Sequence, residues 1–233
     1  MHDLGPAITQ AMHLLFSGDA TLWSIIGVSF SVSLRAIAIA IPLALAAAFV
    51  LAYARFPGRR LLVTTVNTLM AVPAVVVGLS CYLVLSSNGP AGSLHLLFTQ
   101  WAMIIGQIVL CLPLLVAMAH SALQGSDQRA WETALTLGAS RLRAARTVMY
   151  EVRFGLLAAV IAAFGRIIAE VGCSMMVGGN ILHHTRNIPT AIALETAKGE
   201  FAQGIALGGV LLTFALLLNL ALAHAQGGGR VVS

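Results

Sequence analysis

The sequence predicts an all-α polytopic membrane protein with five transmembrane helices and one long cytoplasmic loop. Composition is the first reason: 59% of the 233 residues are hydrophobic, 9% are charged, and mean hydropathy is +0.93. A soluble domain cannot hide that much apolar surface. Segment length is the second. Five stretches, roughly 22–54, 61–86, 100–122, 154–178 and 203–225, meet the ~20 mostly apolar residues that a crossing needs. Charge placement is the third. Arg55, Arg59 and Arg60 fall in the first loop, Arg129, Arg141, Arg143, Arg146 and Arg153 in the third, and Arg230 in the tail. The alternate loops hold only Arg186 and Lys198. The positive-inside rule puts the basic side in the cytoplasm, with the N-terminus outside and the C-terminus inside. That rule also accounts for the sequence pI of about 9.7 without nucleic acid.

Each element has its own justification. Residues 1–21 carry Leu4, Ile8, Met12 and Leu15 at helical spacing, and read as an amphipathic helix on the outer surface. They lack the basic start of a signal peptide. The first span is too long for one crossing. Ala36 to Tyr53 is uncharged, so Arg35 sits near an interface and the preceding stretch tilts or extends beyond the membrane. The second span offers Thr64, Thr65, Asn67 and Thr68, then Pro73 as a kink. Its asparagine suits a bond to a neighbouring helix. Cys81, Cys111 and Cys173 all lie in apolar runs, against a disulfide framework or a zinc site.

The loop 123–153 is the most informative segment. Ser126 or Asp127 can cap a helix through "QRAWETALTL". Gly138 can end it in the left-handed conformation that other residues resist, and Ser140 can cap a second helix through "RLRAARTVMY". Two short helices meeting at "LGAS" make an angled cytoplasmic knob. Thr133 and Ala134, small beside Glu132, allow close approach to a partner. The arginines suit anionic membrane lipid or an acidic partner.

The fourth span buries Arg166 and, four residues on, Glu170. Spacing places them on one helical face, with Ala159, Ala162, Ala163, Cys173 and Ser174 continuing that side. An isolated charge at a span centre costs about 2.5–3.5 kcal/mol, so this face turns to the bundle interior. Two readings stand: a structural salt bridge, or a lining of an anion route and its gate. Gly178 and Gly179 end the span. Residues 179–202 read as an extended outer loop. There, His183 and His184 point different ways on regular structure and lack a third ligand, so no metal site is expected.

The knob resembles the coupling loop of ABC-importer permeases. That pattern is Glu-Ala-Ala, three residues, Gly, nine residues, then Ile-x-Leu-Pro. Here Glu132, Thr133, Ala134 and Gly138 match in spacing, Val148 holds the Ile position, and Tyr150 and Glu151 replace Leu-Pro. "SVSLRAIAIAIPLALAAAFVLAYARFPGRR" is similar to the opening core span of these permeases. "AAFGRIIAEVGCSMMVGGNI" resembles the molybdate and tungstate branch, and "TRNIPTAIALETAKGEFAQGIALGGVLL" looks most like tungstate permeases. The resemblance implies a single permease domain over 1–233 of the type I ABC importer fold. It implies a second copy of the chain, two ATPase subunits that bind ATP and Mg, and an external oxyanion-binding protein. It also implies that Glu132, Thr133, Ala134, Gly138, Ala139, Ser140, Arg141 and Arg143 contact the ATPase. Arg166, Glu170 and Ser174 are the candidate pathway or gate residues. Independently, no G-x-x-x-x-G-K-[ST] phosphate loop occurs, so this chain is expected to hold no nucleotide and no cofactor and to be no enzyme itself. The competing class, an ion-coupled carrier working alone, finds no inverted repeat and leaves the knob unexplained.

Overall fold

The computed structural model describes residues 16–125 and 128–227, together with 9, 12 and 13. Most of the expected outer segment 1–21, and the capping candidates Ser126 and Asp127, lie outside the described residues. Every regular element that is described is helical. The α-helices are α1 Ala20–Tyr53, α2 Arg59–Leu69, α3 Ala74–Leu85, α4 Gln100–Gln124, α5 Gln128–Thr136, α6 Arg141–Glu151, α7 Arg153–Ile168, α8 Gly172–Gly178, α9 Ile188–Lys198 and α10 Phe201–Gly227. A 3-10 turn at Gly92–Leu94 precedes α4.

Three of these, α1, α4 and α10, are unbroken and apolar enough to cross a membrane. α1 runs unbroken through Pro42 for 34 residues. At 1.5 Å per residue it is about 51 Å long, well beyond a hydrocarbon core of about 30 Å. Asp19 caps its start, accepting from the Leu22 amide at 2.7 Å. Its C-terminal end is closed by Arg59, which donates to the Leu51 and Ala52 carbonyls. A cation there satisfies the helix's last acceptors and its dipole.

α1 and α4 form the central pair. Val32, Ala36, Ala40, Ala44 and Ala48 recur every fourth residue on α1 and are all fully or almost fully buried. Such a ridge of small side chains lets a second backbone come close, which is how helices associate where lipid removes the hydrophobic drive. On α4, Ala102, Met103, Gln107, Cys111 and Leu115 answer it. α10 closes the outer half, where Ala206 and Leu207 pack with Leu22, Ile25, Ile188 and Ala191. Phe214 meets Phe30 and Phe164 edge-on, at ring separations of 4.6 and 5.6 Å.

The two other apolar segments are broken, which corrects the expectation of single helices. Segment 61–86 is not one kinked span: α2 and α3 meet at 101° across residues 70–73. Pro73 has no amide proton to continue the ladder, and it stands as the N-cap of α3. Segment 154–178 splits into α7 and α8 around 169–171. α8 lies so close to α3 that a Cβ on Gly78 would come within 2.8 Å of the Cys173 Cα, so only glycine fits that crossing.

The outer segment 179–202 is also not an extended loop, because it contains α9. Its start is a reciprocal capping box. The Asn187 side chain accepts from the Thr190 amide, and the Thr190 hydroxyl accepts from the Asn187 amide, both at 3.1 Å. The Ile188 amide donates to Ser29 Oγ at 2.6 Å, which pins α9 to α1.

Candidate functional site

The knob at the C-terminal ends of α1 and α4 is built as two helices and an elbow. α5 ends in a Schellman arrangement: the Ala139 amide donates to the Ala134 carbonyl and the Gly138 amide to the Leu135 carbonyl, both at 3.0 Å. Gly138 takes φ +84°, and nothing lies within 4 Å of where its Cβ would be. The requirement for glycine is therefore conformational. The Ser140 side chain then caps α6, accepting from the Arg143 amide at 3.4 Å.

The expected partner-facing residues come together here. Glu132, Thr133, Gly138, Ser140, Arg141 and Arg143 are exposed, and Ala134 and Ala139 half-buried. Leu137 and Leu142 stand 83% and 73% exposed on either side of the elbow. Two large apolar side chains thus stand exposed on either side of the glycine turn. The opposite face of α6 is anchored, with Ala144 and Val148 fully buried.

Trp131 attaches the knob to the membrane domain, and sequence reasoning passed over it. Its ring meets Phe49 at 5.2 Å and Tyr53 at 5.1 Å, and those two meet each other at 4.8 Å. The trio joins α5 to the inner end of α1. The readable signal was a lone aromatic directly before Glu132 in a polar segment. At the other end, Arg153 lies over the Tyr150 and Phe154 rings, 4.2 and 4.5 Å from their centroids, and donates to the Tyr150 carbonyl. α6 and α7 diverge there by 71°.

The fourth crossing departs from its expected geometry. Arg166 and Glu170 do not share a helical face, because α7 ends at Ile168 and Glu170 lies in the break. Among the described residues the only ion pair is Lys198–Glu195, at 3.1 Å. Glu170 Oε1 instead accepts from the Cys173 amide at 3.2 Å, serving one of the amides freed at the start of α8. The small-residue stripe divides as well. Ala159, Ala163, Cys173 and Ser174 are buried, whereas Ala162, Gly165 and Arg166 are exposed on the other side of α7. Gln107, which the sequence did not single out, is buried beside the break and donates to the Ile167 carbonyl at 3.3 Å.

On the outer face, His183 Nδ1 and Ser24 Oγ are 3.0 Å apart. Gln100 donates to the His184 carbonyl at 2.9 Å and accepts from Arg35 at 3.4 Å. The two histidines therefore tie the outer loop to α1 and α4. Thr64, Thr65 and Thr68 each donate to the carbonyl four residues back, and Asn67 is exposed on α2.

Comparison with known proteins gives a consistent result. Residues 40–226 match the family described as binding-protein-dependent transport system inner membrane component. The tungstate uptake system permease protein TupB of Campylobacter jejuni is 41% identical over 210 residues, 90% of this chain and 88% of that protein. The molybdenum transport system permease protein ModB of Escherichia coli K12 is 30% identical over 191 residues, 76% of this chain and 82% of that protein. In three dimensions the chain resembles a crystallised bacterial ABC transporter involved in import of the acidic polysaccharide alginate. The TM-score is 0.75 at 16% identity, covering 100% of this chain and 91% of the other.

Proposed function

This chain belongs to the binding-protein-dependent transport family of inner membrane components, as an ABC importer permease subunit, and from that premise we propose that it forms the translocation path for tungstate and couples it to a separate ATPase. Two copies enclose the path between them. An external oxyanion-binding protein delivers the anion, and two ATPase subunits hold ATP and Mg against the knobs. The N-terminus lies outside and the C-terminus in the cytoplasm. Tungstate is favoured over molybdate, the alternative oxyanion, by 41% identity to a tungstate permease against 30% to a molybdenum permease.

The observation that carries coupling is the knob's construction. A glycine-set elbow with Leu137 and Leu142 exposed is fastened to α1 by the Trp131 trio. A push on the elbow reaches the membrane through packed rings rather than a flexible tether. When ATP draws the two ATPases together, the knobs carry the permease halves from inward-open to outward-open. Hydrolysis resets them.

Arg166 supports the two-copy path. It is charged, exposed and unpaired among the described residues, in the apolar helix α7. Facing lipid would cost about 2.5–3.5 kcal/mol. A face of Ala162, Gly165 and Arg166 is instead suited to a second copy and a hydrated anion between them. One cation per copy attracts a divalent oxyanion without trapping it, as a full ring of positive charge would.

The test is ATP hydrolysis by the reconstituted complex of permease, ATPase and binding protein. Tungstate-loaded binding protein is expected to stimulate hydrolysis more than molybdate-loaded protein. Equal stimulation removes the preference for tungstate, and no stimulation by either overturns the importer reading.

A further inference from the structure

Two grooves on the surface of this chain share one residue, Val50. The first, of about 500 Å³, lies between α1, α2 and α4. Its walls are apolar, Ala47, Leu62 and Val66 among them. The second, of about 590 Å³, lies between the inner end of α1 and the knob, and Tyr53, Trp131 and Arg141 line it. Val50 borders both.

The second groove carries a cation that is not paired: Arg141 makes no ion pair among the described residues. Arg55, in the adjoining turn, and Arg60, at the start of α2, stand exposed, while Arg59 is spent on α1's last carbonyls. The apolar trough thus adjoins, at Val50, a second groove whose lining is also mainly apolar but which carries the cation Arg141, with Arg55 and Arg60 nearby in sequence. That polarity, apolar along its length with a cation at one end, matches an anionic amphiphile standing in the inner leaflet.

We propose that the paired grooves bind one anionic phospholipid. Its acyl chain lies along Ala47, Val50 and Val66, and its headgroup oxygens meet Arg141. The lipid thereby bridges α1 and the knob beside the Trp131 trio, and anionic lipid strengthens the joint that transmits the ATPase stroke. This inference rests on the cytoplasmic placement of the knob and is independent of which oxyanion is carried.

Trp131 supplies the readout. In the full-length chain with Trp23→Phe and Trp101→Phe, it is the one remaining tryptophan. The chain is placed in bilayer nanodiscs with phosphatidylglycerol or phosphatidylcholine whose acyl chains carry bromine next to the ester carbonyls, at the headgroup end that the proposal sets beside Trp131; bromine quenches tryptophan on contact. The phosphatidylglycerol is expected to reach half-quenching at about fivefold lower mole fraction, the effect of about one arginine at the surface. Arg141→Gln should bring the two lipids together, and Arg141→Lys should keep them apart. If Arg141→Gln fails to insert, competition in the parent protein decides. Unbrominated phosphatidylglycerol should relieve quenching, and unbrominated phosphatidylcholine should not. Equal quenching by both headgroups would mean ordinary bilayer contact and overturn the proposal. No quenching by either would mean that protein, such as a second copy, fills the grooves. Relief by inorganic phosphate as complete as by the lipid would assign the cationic trough to a free anion and overturn the lipid reading.

Discussion

Gly138 controls the knob through its backbone. At φ +84° an L side chain meets a penalty of about 1–2 kcal/mol, and β-branching makes it worse. Because nothing lies within 4 Å of the added Cβ, the effect of Gly138→Val is a changed elbow and not a clash within the chain. The chain is expected to insert normally and to lose most of the stimulation of ATP hydrolysis by loaded binding protein. Gly138→Asn, which tolerates the left-handed conformation, should keep most of it. Full stimulation in the valine variant would remove the knob from the coupling path. Arg166 and Glu170 also separate at this scale. They make no ion pair, and Glu170 serves the Cys173 amide. Arg166→Ala should lower the transport rate, while Glu170→Ala should lower thermal stability by about 0.5–2 kcal/mol, as loss of a helix cap does. The double variant should show both losses. Recovery of transport or stability in the double variant would restore the salt bridge that spacing alone suggested.

At the level of elements, two joints matter. The first is the Trp131–Phe49–Tyr53 trio between α5 and α1. Trp131→Ala removes two ring contacts, each worth about 0.5–1.5 kcal/mol. Limited proteolysis between residues 125 and 140 should accelerate while α1 stays in the membrane. An unchanged cleavage rate would mean that the knob is held by α6 alone, through Ala144 and Val148. The second joint is the break between α7 and α8. Gln107→Leu leaves the Ile167 carbonyl without the donor that reaches it across the bundle. The Ile167 carbonyl still accepts from the Glu170 amide at 3.2 Å, so the expected loss is that of one hydrogen bond, about 0.5–1.5 kcal/mol, measured as a lower melting temperature in detergent.

At the scale of the whole molecule, the testable feature is orientation. Asn88 lies in the exposed turn between α3 and α4, and Leu137 is 83% exposed at the knob. Asn88→Cys should react with a membrane-impermeant maleimide from outside, and Leu137→Cys only after the cytoplasmic side is opened. The three native cysteines are buried, so background labelling stays low. Reversed reactivity would invert the topology and put the knob out of an ATPase's reach.

The sequence by itself determined the all-helical membrane class and the elbow of the knob. These rest on local signals: run length, the side on which arginines collect, a left-handed glycine, a serine cap at position 140. It left α9 unread although Asn187, Pro189 and Gly199 mark a helix's ends, because an outer segment between spans was read as connection. Only the tertiary structure decided that two crossings are broken, that Glu170 caps α8 instead of pairing with Arg166, and that Trp131 reaches α1. Periodicity cannot report these outcomes. A four-residue spacing puts two side chains on one face only while the helix continues. Whether it continues depends on what a neighbour supplies to the freed backbone groups, here Gln107 from α4 to the Ile167 carbonyl. Contacts between residues 49 and 131, or 107 and 167, leave no trace in local pattern, because packing in three dimensions selects them after the helices have formed.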